Sequence, residues 1–127
     1  MLIIADTIQS PGSYLWIDVR EPEEYAVSHI PHAIYYKDSI KSKNAINSKQ
    51  YKGIIYYCSI GIRSNAVATK TSLSHKHQKI YNLYGGIFDW AASGFDMQDS
   101  LGNKTHNLHP YNLLWGWFIR NANIKLK

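Results

Sequence analysis

The apolar residues of this chain fall into short runs separated by polar and turn-forming segments. Leu15-Trp16-Ile17-Asp18-Val19 follows the turn signal Ser10-Pro11-Gly12-Ser13 and predicts a buried strand. Glu21-Pro22-Glu23-Glu24-Tyr25 predicts a helix start: Pro22 suits the first helical position, and Glu23 and Glu24 complement the positive end of the helix dipole. Pro31 is expected to end that helix, and Ala33-Ile34-Tyr35-Tyr36 predicts a second short strand. Residues 38–50, rich in Lys, Asn and Ser, read as a loop or weak helix. Ile54-Ile55-Tyr56-Tyr57 is the clearest buried strand, with Cys58 at its carboxyl end. A helix is expected from Arg63 to about Leu73, opening on the small residues Ser64, Ala66 and Ala68. Lys79 to Leu83 is another strand candidate. Gly85-Gly86 turns the chain into a helix from Ile87 to Ser93, which Gly94 terminates.

Strands alternating with helices predict an α/β domain with a mainly parallel sheet, which holds ligands at the carboxyl ends of its strands. Cys58 stands at such a position. No internal repeat is evident. The 127 residues suffice for one compact domain, and 45% hydrophobic with 18% charged residues is an ordinary globular balance. Leu2 to Ile4 is too short for a secretory h-region, and Leu113 to Ile119 is far short of the roughly 20 residues that span a bilayer. A single cysteine with no export signal fits a reducing cytoplasm.

Fourteen basic against nine acidic residues give a formal charge of +5. The lysines are spread along the chain without a nucleic-acid motif or interleaved aromatics, so no nucleic-acid partner is expected. Such a charge draws small anions and acidic partners at low salt.

The segment Tyr57-Cys58-Ser59-Ile60-Gly61-Ile62-Arg63-Ser64 carries the chemistry. A loop between a strand and a helix aims backbone N–H groups and the positive helix end at the sulfur. Gly61 permits backbone angles that a side chain blocks, and Arg63 adds a fixed positive charge. These features favour the thiolate, which is the nucleophilic form. The bland alternative is a buried, inert Cys58 with Arg63 turned to solvent. Asp18, Arg20 and Glu24 read as structural ion pairs at a strand end rather than an acid–base set, and whether Arg20 faces the pocket edge is left open. His29 and His32 lack an evident third ligand, so no metal site is expected. Tyr84 and Trp90 read as core aromatics.

Ile17 to Ile34, IDVREPEEYAVSHIPHAI, resembles the first signature of the rhodanese domains. Cys58-Ser59-Ile60-Gly61-Ile62-Arg63-Ser64 resembles their active-site loop, and Leu83-Tyr84-Gly85-Gly86-Ile87-Phe88-Asp89-Trp90, ending at Gly94, resembles their third signature. The resemblance spans roughly residues 2–96. It implies a three-layer rhodanese fold, its mainly parallel central sheet flanked by helices. It also implies sulfurtransferase chemistry that needs no cofactor or metal. The Cys58 thiolate takes a sulfane sulfur from an anionic donor such as thiosulfate and passes it to cyanide, a thiol or a protein thiol. The amides of Ser59, Ile60, Gly61, Ile62 and Arg63 would cradle the persulfide, with Arg63 helping to bind the donor and Ser64 closing the motif.

Four residues separate Cys58 from Arg63. The related phosphatases carry one more, so this loop favours sulfur over a phosphatase or arsenate-reductase reaction. The remaining alternative is a rhodanese-like docking module with little catalysis. Three features depart from the family pattern. Ser28 and His32 stand where glycine is usual, so the turn around His29-Ile30-Pro31 must be built differently. The helix after the loop is less apolar than usual, with Lys70 and Thr71 where leucines are common. Residues 97–127 form a C-terminal extension outside the 1–96 domain, and its aromatic stretch from His109 to Ile119 is expected to pack back on the domain or to support a dimer.

Overall fold

The computed structural model describes residues 12–48 and 50–108 and, for the backbone, 125–126. Four strands form one sheet: β1 (Tyr14–Asp18), β2 (Ile34–Tyr35), β3 (Gly53–Tyr57) and β4 (Ile80–Asn82), in the order β2-β1-β3-β4 and all parallel. The connecting segments hold α1 (Pro22–Val27), α2 (Ser39–Asn47) and α3 (Ile62–Ser74), and α4 (Gly86–Ala92) follows β4. The expected three-layer α/β fold is therefore present.

The pleat explains the layers. Alternate side chains leave opposite faces of a strand, so both faces of a covered parallel sheet are apolar. Leu15, Ile17, Ile54 and Tyr56 pack beneath Ile46 of α2 and Ala68 of α3. Trp16, Ile55 and Tyr57 pack on the other face against Ile87, Phe88 and Trp90 of α4. Met97 and Leu108, beyond the predicted domain boundary, are buried in this second cluster. Three short pairings complete the described chain: the bridge of His29 with Gln98, β5 (Met97–Gln98) against β6 (Lys104–Thr105), and β7 (Asn107–Leu108) against β8 (Lys125–Leu126). The aromatic stretch 109–119 lies outside the described residues.

Two elements differ from expectation. Residues 39–47 are a full helix, because the Asp38 carboxylate caps the Lys41 N–H (3.3 Å) and Ile46 anchors the far end in the core. The helix α1 ends at Val27, four positions before Pro31, because Ser28 is already extended (φ −166°, ψ 152°) and its carbonyl oxygen is held by Arg20 Nη2 at 2.6 Å. That extended backbone needs no glycine. His32 does adopt a left-handed conformation (φ 67°), alone among the described non-glycine residues. Thr71, at a position where leucine is common in the family the sequence resembles, bonds its hydroxyl to Tyr56 Oη at 2.9 Å and to the Val67 carbonyl.

Candidate active site

Cys58 follows the central strand β3 directly, with β1 and β4 on either side. Val19 N–H bonds the Tyr57 carbonyl (3.0 Å) and Leu83 N–H bonds the Tyr56 carbonyl (2.9 Å), so the strand is held up to the residue before the cysteine. The chain then turns through Ser59, Ile60 and Gly61 into α3. Gly61 sits at φ 102°, where a side chain is strained and a Cβ would lie 3.2 Å from the Leu83 carbonyl oxygen.

The turn wraps the sulfur. Cys58 Sγ accepts from Gly61 N–H at 3.1 Å and from Ser64 N–H at 3.5 Å, and Ser64 Oγ stands 3.4 Å away. Burial pushes the thiol pKa up, Cys58 being only 1% exposed, but the Ser64 hydroxyl and the N–H groups of Ser64, Gly61 and Ile60 outweigh it. The net direction is down, toward the thiolate. The Ser64 hydroxyl has one proton and two acceptors in reach, Sγ and Asn82 Oδ1. Asn82 Nδ2 in turn donates to the Gly61 carbonyl (3.0 Å), tying β4 to the loop.

The outer wall of the loop is equally fixed. Ile87 N–H bonds the Cys58 carbonyl (2.9 Å) and Phe88 N–H the Ser59 carbonyl (3.1 Å), so α4 draws these oxygens away from the sulfur and leaves the loop amides facing inward. Only glycine fits at position 86, since a Cβ there would overlap both carbonyl oxygens. Arg63 lies against Glu24, with Nη1–Oε1 at 3.1 Å and Nη2–Oε2 at 3.2 Å, and its Nη2 donates to Ser59 Oγ at 2.8 Å. Ser59 Oγ donates on to Glu24 Oε2. Burial raises the Glu24 pKa, but the Arg63 hydrogen bonds, the Glu21 N–H and the Arg63 and Arg20 charges together outweigh it, and the net direction is down.

Of the loop residues from Cys58 to Ser64, Ile60, Gly61 and Ser64 bring donors to the sulfur, whereas Ser59 and Arg63 bond Glu24 and Ile62 is exposed. Asp18 and Arg20 are not part of that ring. They form a fully buried pair, Arg20 Nη2 to Asp18 Oδ2 at 2.7 Å, and Arg20 faces inward, not toward a pocket edge. Burial alone would lower the Arg20 pKa, and the Asp18 carboxylate more than reverses this. The pair still touches the site from below, because Tyr57 Oη donates to Asp18 Oδ2 (2.9 Å) and accepts from Ile30 N–H (3.0 Å). Trp90 is a core aromatic, its Nε1 bonded to the Asp96 carbonyl (2.8 Å), but Tyr84 is 92% exposed. It sits in the β4–α4 turn beside the loop, where Leu83 takes the inward position instead. Sequence reasoning missed Asn82, which no local pattern marks. It also missed the clamping role of Gly86, although a Gly-Gly pair between strand and helix was a usable signal.

Comparison with known proteins agrees with this geometry. The family described as Rhodanese-like domain matches residues 4–93. The thiosulfate:glutathione sulfurtransferase of Saccharomyces cerevisiae is 30% identical over 96 residues, covering 65% of this chain and 68% of that protein. A putative sulfur carrier protein of Bacillus subtilis, YrkF, is 31% identical over 65% of this chain, which spans only 44% of that relative. A rhodanese-related protein from Thermoplasma volcanium superimposes with a TM-score of 0.57 at 28% identity, covering 73% of this chain and 91% of its own. A chain with this sheet, this cysteine loop and a family match across residues 4–93 belongs to the rhodanese-like domain family.

Proposed function

We propose that the protein is a sulfurtransferase that carries a sulfane sulfur as a persulfide on Cys58. The observation that carries this reading is the ring of donors around Sγ, with Gly61 N–H at 3.1 Å and Ser64 N–H at 3.5 Å. Inward N–H groups hold a thiolate and would hold the anionic persulfide in its place. The thiolate attacks the outer sulfur of thiosulfate, forming the Cys58 S–S bond while sulfite leaves with the electron pair of the broken bond. Cyanide or a thiolate then takes the outer sulfur, and the pair of the persulfide bond returns to Cys58 Sγ. Neither step needs an external oxidant or reductant. In this reading the loop amides from Ser59 to Arg63 cradle the transferred sulfur. Arg63, held by Glu24, acts mainly by fixing the loop, and its charge attracts the anionic donor.

No helix among the described residues is long and apolar enough to cross a membrane. A cytoplasmic location, where a lone thiol stays reduced, belongs to the proposal. So does packing of the 97–127 extension on the domain, supported by the burial of Met97 and Leu108.

A second reading rests on the 1% exposure of Cys58: a docking or carrier module with little catalysis. Intact mass before and after excess thiosulfate separates the two. Gain of one sulfur, removed by cyanide and absent in Cys58→Ser, supports the transferase. No gain together with an unreactive Cys58 supports the module.

A further inference from the structure

The lysines that look scattered along the chain do not scatter in space. From Ser39 to Phe88 the sequence holds no Asp or Glu, yet it carries seven lysines and Arg63. That segment contains α2 and α3, the two helices covering one face of the sheet. Between them runs a groove formed by two adjoining cavities of about 370 and 540 Å³, which share Ile46, Ser74 and His75. Lys37, Lys43 and Lys70 line the first cavity; Lys52, Lys76 and Lys79 line the second. Among the described residues, no acidic one lines either. Two carboxylates stand near the upper end, and both are engaged: Glu21 accepts from Lys37 Nζ at 2.9 Å, and Asp38 caps the Lys41 amide.

The groove lies on the helices that start from the edge of the sheet carrying the site. In parallel connections both helices begin at the carboxyl edge of the sheet, where Cys58 lies. Their first turns carry Ile40 (75% exposed) and Ile62 (72% exposed), and Tyr84 stands on the neighbouring turn. Three of the five large hydrophobic side chains exposed among the described residues therefore belong to segments at the carboxyl edge of the sheet, the edge that holds Cys58. A site serving only small anions has no use for such a rim.

We propose that the α2–α3 groove seats an acidic protein partner, whose thiol-bearing, apolar-tipped segment reaches Cys58 across the rim of Ile40, Ile62 and Tyr84. This rests on the persulfide reading above. The anionic persulfide takes up a proton, and the partner's thiolate attacks its outer sulfur. A new S–S bond forms on the partner, the old one breaks, and its electron pair stays on Cys58 Sγ. The chemistry also selects the partner class: a persulfide yields its sulfur to a soft nucleophile, which an unmodified nucleic acid lacks.

The test uses the full chain and two synthetic peptides, each with one cysteine beside leucine, flanked either by Asp and Glu or by Lys. Serine-for-cysteine versions carrying a fluorophore report binding by anisotropy, independently of sulfur transfer. The acidic peptide is expected to bind, and to discharge the thiosulfate-loaded protein about tenfold faster than the basic one at low salt. High salt should erase that advantage. Acidic flanks disfavour the peptide's own thiolate, so its intrinsic reactivity works against the expected result. The triple variant Lys43→Glu, Lys70→Glu, Lys76→Glu should lose the preference while retaining thiosulfate–cyanide turnover. Equal behaviour of the two peptides, or a preference that survives charge reversal, overturns the proposal. So does a single-stranded oligonucleotide that binds this face when the acidic peptide does not. Peptide binding without persulfide formation would instead overturn the sulfurtransferase reading and leave the docking surface standing.

Discussion

Removing one hydroxyl at Tyr57 should cost far more than removing the hydroxyl of its neighbour. Tyr56 and Tyr57 are both fully buried, on opposite faces of β3. Tyr57 Oη donates to the Asp18 carboxylate at 2.9 Å and accepts the Ile30 N–H at 3.0 Å. Tyr57→Phe removes a bond to a charged group, worth about 1.5–3 kcal/mol, and leaves a buried N–H unpaired at about 1–3 kcal/mol. The two overlap, and about 3–4 kcal/mol is the expected sum, a large share of a typical domain's stability of about 5–15 kcal/mol. Tyr56 Oη only shares a hydrogen bond with Thr71 Oγ1 (2.9 Å), and Thr71 keeps its bond to the Val67 carbonyl. Tyr56→Phe should cost about 1 kcal/mol. Urea unfolding followed by tryptophan fluorescence reads both, since Trp16 and Trp90 lie in the core. With a slope of about 1–3 kcal/mol per molar urea, the two midpoints should differ by roughly 1 M or more. Equal midpoints would refute the view that the Asp18–Tyr57–Ile30 chain supports the floor of the site.

Three further outcomes are expected. His32→Gly should raise stability by about 0.5–1 kcal/mol in the same unfolding assay, because relief of left-handed strain of about 1–2 kcal/mol exceeds glycine's entropic cost. The backbone N–H of His32, which donates to Gln98 Oε1, survives the change. Glu24 has a depressed pKa, so its contribution is full above its unfolded value near 4.5 and is lost as pH falls through the lower folded value. The unfolding midpoint of the native chain should therefore fall in acid below about pH 4.5, and Glu24→Gln should flatten that limb. The Cys58 thiolate should form below the ordinary thiol value of 9.0 in an ultraviolet titration. Ser64→Ala should move its midpoint up, and Asn82→Ala should move it down by freeing the Ser64 proton for the sulfur; no movement in either variant would show that the backbone amides alone hold the charge.

Elements with a strong local signal were readable from the sequence. The run Ile54 to Tyr57 had to be a buried strand, Pro22 with Glu23 and Glu24 had to open a helix, and the glycines after the cysteine had to be turns. The site loop was legible for the same reason, since its donors are backbone groups of consecutive residues. What could not be read depends on groups far apart in the chain. Nothing near Arg63 announces that its guanidinium meets Glu24, and nothing near Asn82 announces its bonds to Ser64 and Gly61. Tyr84 was misplaced because an aromatic beside a Gly-Gly turn is apolar by composition, while the turn geometry gives the inward position to Leu83. Residues 39–47 were underrated because Asp38 and Ile46 outweigh a polar sequence only once the sheet is present to bury Ile46.

The distant contacts also explain why the first motif and the cysteine loop belong together. Asp18 ends the strand beside β3, and Glu24 lies in the helix that follows it. Asp18 reaches under the loop through Tyr57, and Glu24 reaches over it to Arg63 and Ser59. The loop is thereby gripped from two sides by one short segment, Asp18 to Glu24. The inward N–H groups at Cys58 are held in place because other polar groups of the loop are committed elsewhere: Arg63 to Glu24, the Cys58 and Ser59 carbonyls to the first amides of α4. A cradle preorganised in this way has little left to reorganise when a negative sulfur is loaded or removed, which is the property that electrostatic stabilisation of a persulfide requires.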